Sequence, residues 1–233
     1  MENFSAGSLD SDFKKLSDIN AALGSKDEYT QAHAHRVAHY SMRLARRMRL
    51  SIEEVGNIGI GGLLHDVGKL GLSDQIFSNR TTQLYGEMLN EVRRHPGMGV
   101  ALLQGIDSLA PVLDFVHLHH ERLDGSGYPH GLRADDIPLG ARIIAVADCF
   151  DAITTDRPYQ KGKSHVEAFA ILRRMGGQEL CQELVEAFIA DIEENGMIEN
   201  QRSVLTPRRG HFRMCPINSR WHFLESQNMG NAG

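Results

Sequence analysis

The segment Leu63-Leu64-His65-Asp66-Val67-Gly68-Lys69 sets an imidazole, a carboxylate and an amine inside an apolar run. Burying such groups bare is costly, so any fold that contains them must pair them, bind metal with them or use them in catalysis. At 3.6 residues per turn His65 and Lys69 share one helix face, and Asp66 and Lys69 are neighbours three apart. Taken alone, the segment supports a metal-dependent hydrolase of unspecified substrate.

The flanking pattern is helical. A first helix is expected from about Ser11 to Leu23, closed by Gly24, after a flexible stretch over residues 1–10. Val37, Tyr40, Leu44 and Met48 recur at spacings of three and four, with Arg43, Arg46 and Arg47 on the opposite, solvated face. Ser51 and Glu54 form a capping box, with Leu50 and Val55 placed as a hydrophobic staple. The helix they open carries Ile58, Ile60, Leu63 and Leu64 into the His65-Asp66 segment. Gly61, Gly62 and Gly68 disfavour helix and point to close approach of another backbone or a ligand.

Residues 76–82 read as a polar connection, and helices follow to about Val92 and from His95 to Gln104. Pro111 suits the first turn of the helix that ends at His119-His120-Glu121. Asp124-Gly125-Ser126-Gly127-Tyr128-Pro129-His130-Gly131 is a loop of turn formers. Helical runs are expected again over 141–155, from the capping box Ser164–Glu167 to Gly176, and along Leu184, Val185, Phe188, Ile189 and Ile192 to Gly196. No segment alternates with period two between turns, so the chain is expected to be all-α. Beyond about Glu199 five arginines face one acid, beside Phe212, Trp221 and Phe223, and residues 198–233 are read as a basic tail of unknown role.

Composition narrows the function. A net charge of -5 gives no whole-molecule attraction to nucleic acid or acidic membrane. No apolar run reaches the ~18 residues needed to span a bilayer, and the polar start Met1 to Asp12 is not a signal peptide. Cys149, Cys181 and Cys215 form neither a disulfide framework nor a thiolate zinc pair, which fits a reducing cytoplasm.

Twelve histidines are the compositional hint of a metal site. His65-Asp66 and His119-His120 end apolar runs, and His33, His95 and either Asp148 or Asp151 could complete a ligand set. Mixed histidine and carboxylate ligands suit iron(II), manganese or zinc rather than calcium. Two metals about 3.5–4 Å apart, bridged by a carboxylate and a hydroxide, clamp and attack a phosphodiester. Lys69, Arg122, Arg157, Lys161 and Lys163 are the candidate cations for phosphate charge.

Tyr29-Thr30-x-x-His33-x-x-Arg36-Val37, His65-Asp66-x-Gly68-Lys69, His95-Pro96-x-x-Gly99, His119-His120-Glu121 and Gly127-Tyr128-Pro129 occur in one order, followed by Asp148-x-x-Asp151-Ala152 and Arg157-Pro158-Tyr159. Over roughly residues 11–195 these linked motifs resemble the HD-GYP family, a branch of the HD metal phosphohydrolases. The resemblance implies an all-α HD-superfamily domain of about seven or more helices, over residues 11–197, with a two-metal site. It implies a cyclic di-GMP phosphodiesterase yielding pGpG, GMP or both through a metal-bridged hydroxide. It makes His33, His65, Asp66, His95, His119, His120 and Asp148 the metal ligands, with Asp66 bridging and Asp148 preferred to Asp151. Lys69 would be the charge stabiliser or proton donor at the scissile phosphate, making Asp66 and Lys69 the catalytic pair. Arg157 matches a phosphate-contacting arginine. Gly127, Tyr128 and Pro129 match the signature loop, linked to substrate and to GGDEF-type or other signalling domains. The implied cofactors are two divalent ions, iron or manganese first, with zinc, nickel or magnesium as alternatives.

Three departures qualify the resemblance. Tyr29 stands where relatives with a third metal carry glutamate, so two metals are expected. Gln160 stands where a basic residue is usual, with Lys161 next, which bears on rate and on the second cleavage. Leu180-Cys181 replaces an aromatic–acid pair, a packing difference. No receiver or sensor domain is expected within the residues before Ser11. The competing expectations are a non-catalytic cyclic di-GMP receptor and an HD-type hydrolase of another phosphoester.

Overall fold

The computed structural model describes residues 28–78, 86–156, 161–197, 211–215 and 220–224, together with 15, 18, 19, 22 and 25. The expected flexible stretch 1–10, Arg157, Gln160 and much of the expected first helix lie outside the described residues. Lys15, Asp18, Ile19 and Ala22 are helical, and so is Ser25, beyond the expected stop at Gly24.

Helix α1 (Glu28–Arg47) and helix α2 (Ile52–Leu64) form an antiparallel pair joined by a tight turn in which Arg49 adopts a positive φ of 59°. Ser51 and Glu54 close the expected capping box at the start of α2. The pair packs closely because Gly62 meets the backbone of α1: a Cβ there would lie 3.0 Å from Ala38 Cα. Helix α2 ends at Leu64, and a 3-10 turn over Val67–Gly71 follows. His65 and Lys69 therefore do not share one continuous helix face, although Asp66 and Lys69 remain paired three apart. Short helices α3 (Asp74–Ser78) and α4 (Gly86–Val92) lead to α5 (His95–Leu103). Part of the expected connection over 76–82 is thus helical.

A 3-10 segment over Asp107–Val112 contains Pro111 and runs into α6 (Leu113–Leu118). The loop after it reaches α7 (Leu139–Thr154), α8 (His165–Met175) and α9 (Gln182–Asn195). The second capping box, Ser164 with Glu167, opens α8. Gly196, at φ 74°, ends α9.

The main core gathers α1, α7, α8 and α9 around Tyr40, Phe150 and Phe188, whose rings meet edge-on at 5.0–5.7 Å. A smaller core of Ile60, Leu64, Val67, Leu103, Leu109 and Val116 lies under the second half of α2. Of the arginines expected on a solvated face of α1, Arg46 is exposed, but two tie the helix to α9: Arg43 Nε bonds Asp191 Oδ2 at 2.7 Å, and Arg47 makes a two-pronged contact with Glu194.

Among the described residues the helical class expected from periodicity holds through residue 197. The tail adds an antiparallel strand pair, β1 (His211–Cys215) and β2 (Arg220–Leu224), with Phe212 opposite Phe223 and Met214 opposite Trp221 in register. Five-residue strands are too short for a period-two signal to stand out from a basic sequence. No helix among the described residues is long and apolar enough to cross a membrane.

Candidate metal centre

The site forms where α1, α2, α4, α6 and α7 end or face one another. His65, His95 and His119 each lie at or just past a helix terminus, where the last turn leaves carbonyls without intrahelical partners. Each ring uses its Nδ1–H to bond the carbonyl three residues back: His65 to Gly62 at 2.7 Å, His95 to Val92 at 2.7 Å and His119 to Val116 at 2.8 Å. The tautomer follows, with every Nε2 lone pair turned inward. His33, from the middle of α1, is oriented differently. Its Nδ1 donates to Asp151 Oδ2 at 2.7 Å, and Arg36 holds the same carboxylate through Nε at 2.6 Å and Nη2 at 2.9 Å.

These rings converge on Asp66. Its Oδ1 is 3.3 Å from His95 Nε2, and its Oδ2 is 3.4 Å from His65 Nε2 and 3.7 Å from His33 Nε2. Asp148 approaches from α7, with Oδ1 3.2 Å from His33 Nε2 and 4.0 Å from His65 Nε2. Asp151, one turn on, lies behind His33 with its carboxylate taken up by Arg36. Two donor groups emerge, each with ligand atoms within 4.8 Å of one another: His33, His65 and Asp66, and Asp66, His95, His119 and His120. Asp66 belongs to both.

The donors fit divalent metal. His65 Nε2 is buried without a hydrogen-bond partner, and the Nε2 atoms of His95 and His119 face each other at 3.4 Å. Nitrogens about 2.1 Å from one ion and at right angles to each other lie about 3 Å apart, so that spacing suits a shared cation. Burial lowers the pKa of His95 to about 4 and of His120 to about 3, and it holds His119 well below the usual range, so these rings present lone pairs at neutral pH. Burial also works against charge on His33, but Asp148 and Asp151 on either side raise it to about 9, a measure of the negative field there. Burial disfavours the Asp66 carboxylate, yet Lys69, with His65 and His95, holds it well below the ordinary range.

Two glycines permit the close packing. A side chain at Gly68 would run into the His95 carbonyl and the Gly99 amide, so the 3-10 turn that carries Asp66 rests on the first turn of α5. A side chain at Gly127 would collide with the backbone of His120, Glu121 and Arg122. That contact folds the Gly127-Tyr128-Pro129 loop over the His119-His120 pair. The Tyr128 ring stacks on His120 at 4.6 Å, and its backbone amide bonds the His120 carbonyl at 3.2 Å.

Among the expected phosphate cations, Lys69 Nζ lies 2.6 Å from Asp66 Oδ2 and remains 29% exposed. Arg122 donates to Cys149 Sγ at 3.6 Å and approaches Glu179 at 3.9 Å. Lys161 and Lys163 are exposed, and no side-chain contact joins either to the cluster among the described residues. Two further residues shape the site. Glu121, 3% exposed, accepts the amides of His130 and Leu132 at 2.7 and 2.9 Å and so shapes the loop. Arg93 lies with its guanidinium 5.6 Å from the Tyr128 ring centre. An acid directly after a histidine pair was a signal for the first; nothing in the spacing marked the second.

A family profile described as "HD domain" matches residues 19–183. The chain belongs to the HD domain family. Among curated relatives of this HD domain protein, "Cyclic di-GMP phosphodiesterase PA4108" of Pseudomonas aeruginosa is 37% identical over 202 residues, covering 80% of this chain and 48% of the relative. "3'3'-cGAMP-specific phosphodiesterase 1" of Vibrio cholerae is 37% identical over 151 residues, covering 65% of this chain and 35% of that protein. The HD domain chain thus spans about half or less of the length of these relatives. The solved structure of Bd1817 from Bdellovibrio bacteriovorus, described as an HDG"Y"P protein, superposes with a TM-score of 0.58 at 21% identity, covering 70% of this chain and 52% of that one. It corroborates the fold.

Proposed function

We propose that residues 11–197 form a metal-dependent phosphodiesterase domain that cleaves cyclic di-GMP to pGpG, GMP or both, with 198–233 as an appended basic tail. The observation that carries this reading is Asp66, a carboxylate common to two histidine groups with a lysine amine 2.6 Å away. His33, His65, Asp66 and Asp148 would hold one divalent ion, and Asp66, His95, His119 and His120 the other, with iron or manganese as the preferred metals. Bound there, the ions supply Lewis acidity for activating water and for neutralising phosphate charge.

The chain's own groups do the rest. Asp66 presents one oxygen to each histidine group and keeps their spacing fixed. Lys69, beside Asp66 Oδ2 and partly open to solvent, brings its positive charge to a phosphate oxygen or to the departing oxygen. Arg157 and Lys161 are assigned to further phosphate contacts, and Gly127, Tyr128, Pro129 and Arg122 to the wall beside the site. The loop that carries Tyr128 would also be the contact for GGDEF-type or other signalling domains. Cyclic dinucleotides are intracellular messengers, and a cytoplasmic location follows from the reading.

The resemblance to a protein named for cGAMP hydrolysis supports a second reading, in which the substrate is the mixed cyclic dinucleotide. Metal analysis of protein purified without oxygen, combined with product time courses on cyclic di-GMP and 3'3'-cGAMP, decides between them. Wild-type protein with Fe(II) or Mn(II) should linearise at least one, and His65→Ala and Asp66→Ala should not. Equal activity of those variants would remove the two-metal mechanism.

A further inference from the structure

Arg93 follows α4 and precedes His95 by two residues, so the chain that delivers a donor to the cluster also delivers a guanidinium to its edge. The charge rests over the Tyr128 ring, and Tyr128 in turn stacks on His120. A cation–π contact holds the guanidinium without engaging an acceptor oxygen or nitrogen. Among the described residues no carboxylate pairs with Arg93, and its side chain makes no hydrogen bond. Arg122, by contrast, has Cys149 and Glu179. Burial, then Asp66 and Asp148, push the Tyr128 phenol up, while Arg122 and Arg93 pull it the other way. The ring therefore links the donor cluster, through His120, to the Arg93 guanidinium.

A cyclic dinucleotide brings two phosphodiesters. One must reach Asp66 and Lys69 to react, and the other is left at the rim, where it needs a cation that the buried donors cannot supply. We propose that Arg93 binds this second, unreacting phosphodiester and positions the dinucleotide. The inference rests on the phosphodiesterase reading above. A planar fork of N–H donors suits two phosphate oxygens, and a lysine would supply only a point charge.

The test compares ligands with and without that phosphodiester, using the metal-loaded protein. Calorimetry should show Arg93→Ala binding pGpG about 10- to 100-fold more weakly, the range for a charge-assisted hydrogen bond. GMP, which lacks an internal phosphodiester, should bind as it does to wild type. KM for the cyclic dinucleotide should rise with kcat little changed, hydrolysis of bis(p-nitrophenyl) phosphate should be unaltered, and Arg93→Lys should recover part of the loss. Unchanged metal content and circular dichroism would establish that the variant is intact. Equal pGpG affinity in wild type and Arg93→Ala overturns the role of Arg93 alone. A wild type that cleaves bis(p-nitrophenyl) phosphate but binds neither pGpG nor a cyclic dinucleotide overturns the substrate reading and this inference with it.

Discussion

His33 donates from Nδ1 to Asp151 at 2.7 Å, and that carboxylate is buried to 1% exposure against Arg36. A ligand imidazole is made more basic and held in one orientation by such a partner. Asp151→Asn keeps the shape and removes the charge, so affinity for the ion near His33 should fall about 10- to 100-fold. Competition with a graded series of chelators would measure it. Unaltered affinity would mean that packing alone orients His33.

Asp66 is common to both donor groups, whereas His65 and His120 each belong to one. Metal content per chain should therefore drop from about two to about one in His65→Ala and in His120→Ala, and towards none in Asp66→Ala. Elemental analysis after dialysis reads these outcomes directly. A full complement in Asp66→Ala would show that the two groups are independent.

Gly68 touches the His95 carbonyl and the Gly99 amide. Gly68→Ala forces the 3-10 turn away from α5 and should destabilise the fold by about 1–3 kcal/mol, as overpacking does. The same displacement separates Asp66 from His95, so thermal unfolding and metal occupancy should decline together. Loss of stability with normal occupancy would place the strain elsewhere.

Glu121 accepts two backbone amides of the loop. In Glu121→Ala those amides lose a charged acceptor, worth about 1.5–3 kcal/mol. Hydrogen exchange at His130 and Leu132 should accelerate, and KM should rise more than kcat falls. Exchange at wild-type rates would mean that Gly127 packing fixes the loop unaided.

Local chemistry was the part most legible in the sequence. Ser51 with Glu54 and Ser164 with Glu167 cap their helices because a capping box needs only four consecutive residues. Apolar periodicity placed Tyr40, Phe150 and Phe188 in helical segments, and their mutual packing is the main core. The linked motifs anticipated the convergence of His33, His65, Asp66, His95, His119, His120 and Asp148, which spacing alone left open at Asp148 and Asp151. The helix end at Leu64 was illegible, since an apolar run gives no sign that backbone hydrogen bonding will tighten. Arg43 and Arg47 looked like a solvated face because their partners, Asp191 and Glu194, lie about 150 residues away, beyond any local pattern. Arg93 was invisible for the same reason.

The three imidazoles tethered to carbonyls three residues back carry a further consequence. Each ring is held by a bond that needs no ion, so its orientation comes from the helical framework. Small zinc modules collapse when chelated because their ligands have no other anchor. The fold itself sets the orientation of these donors, so removing the ions should cost this chain less stability than it costs such modules.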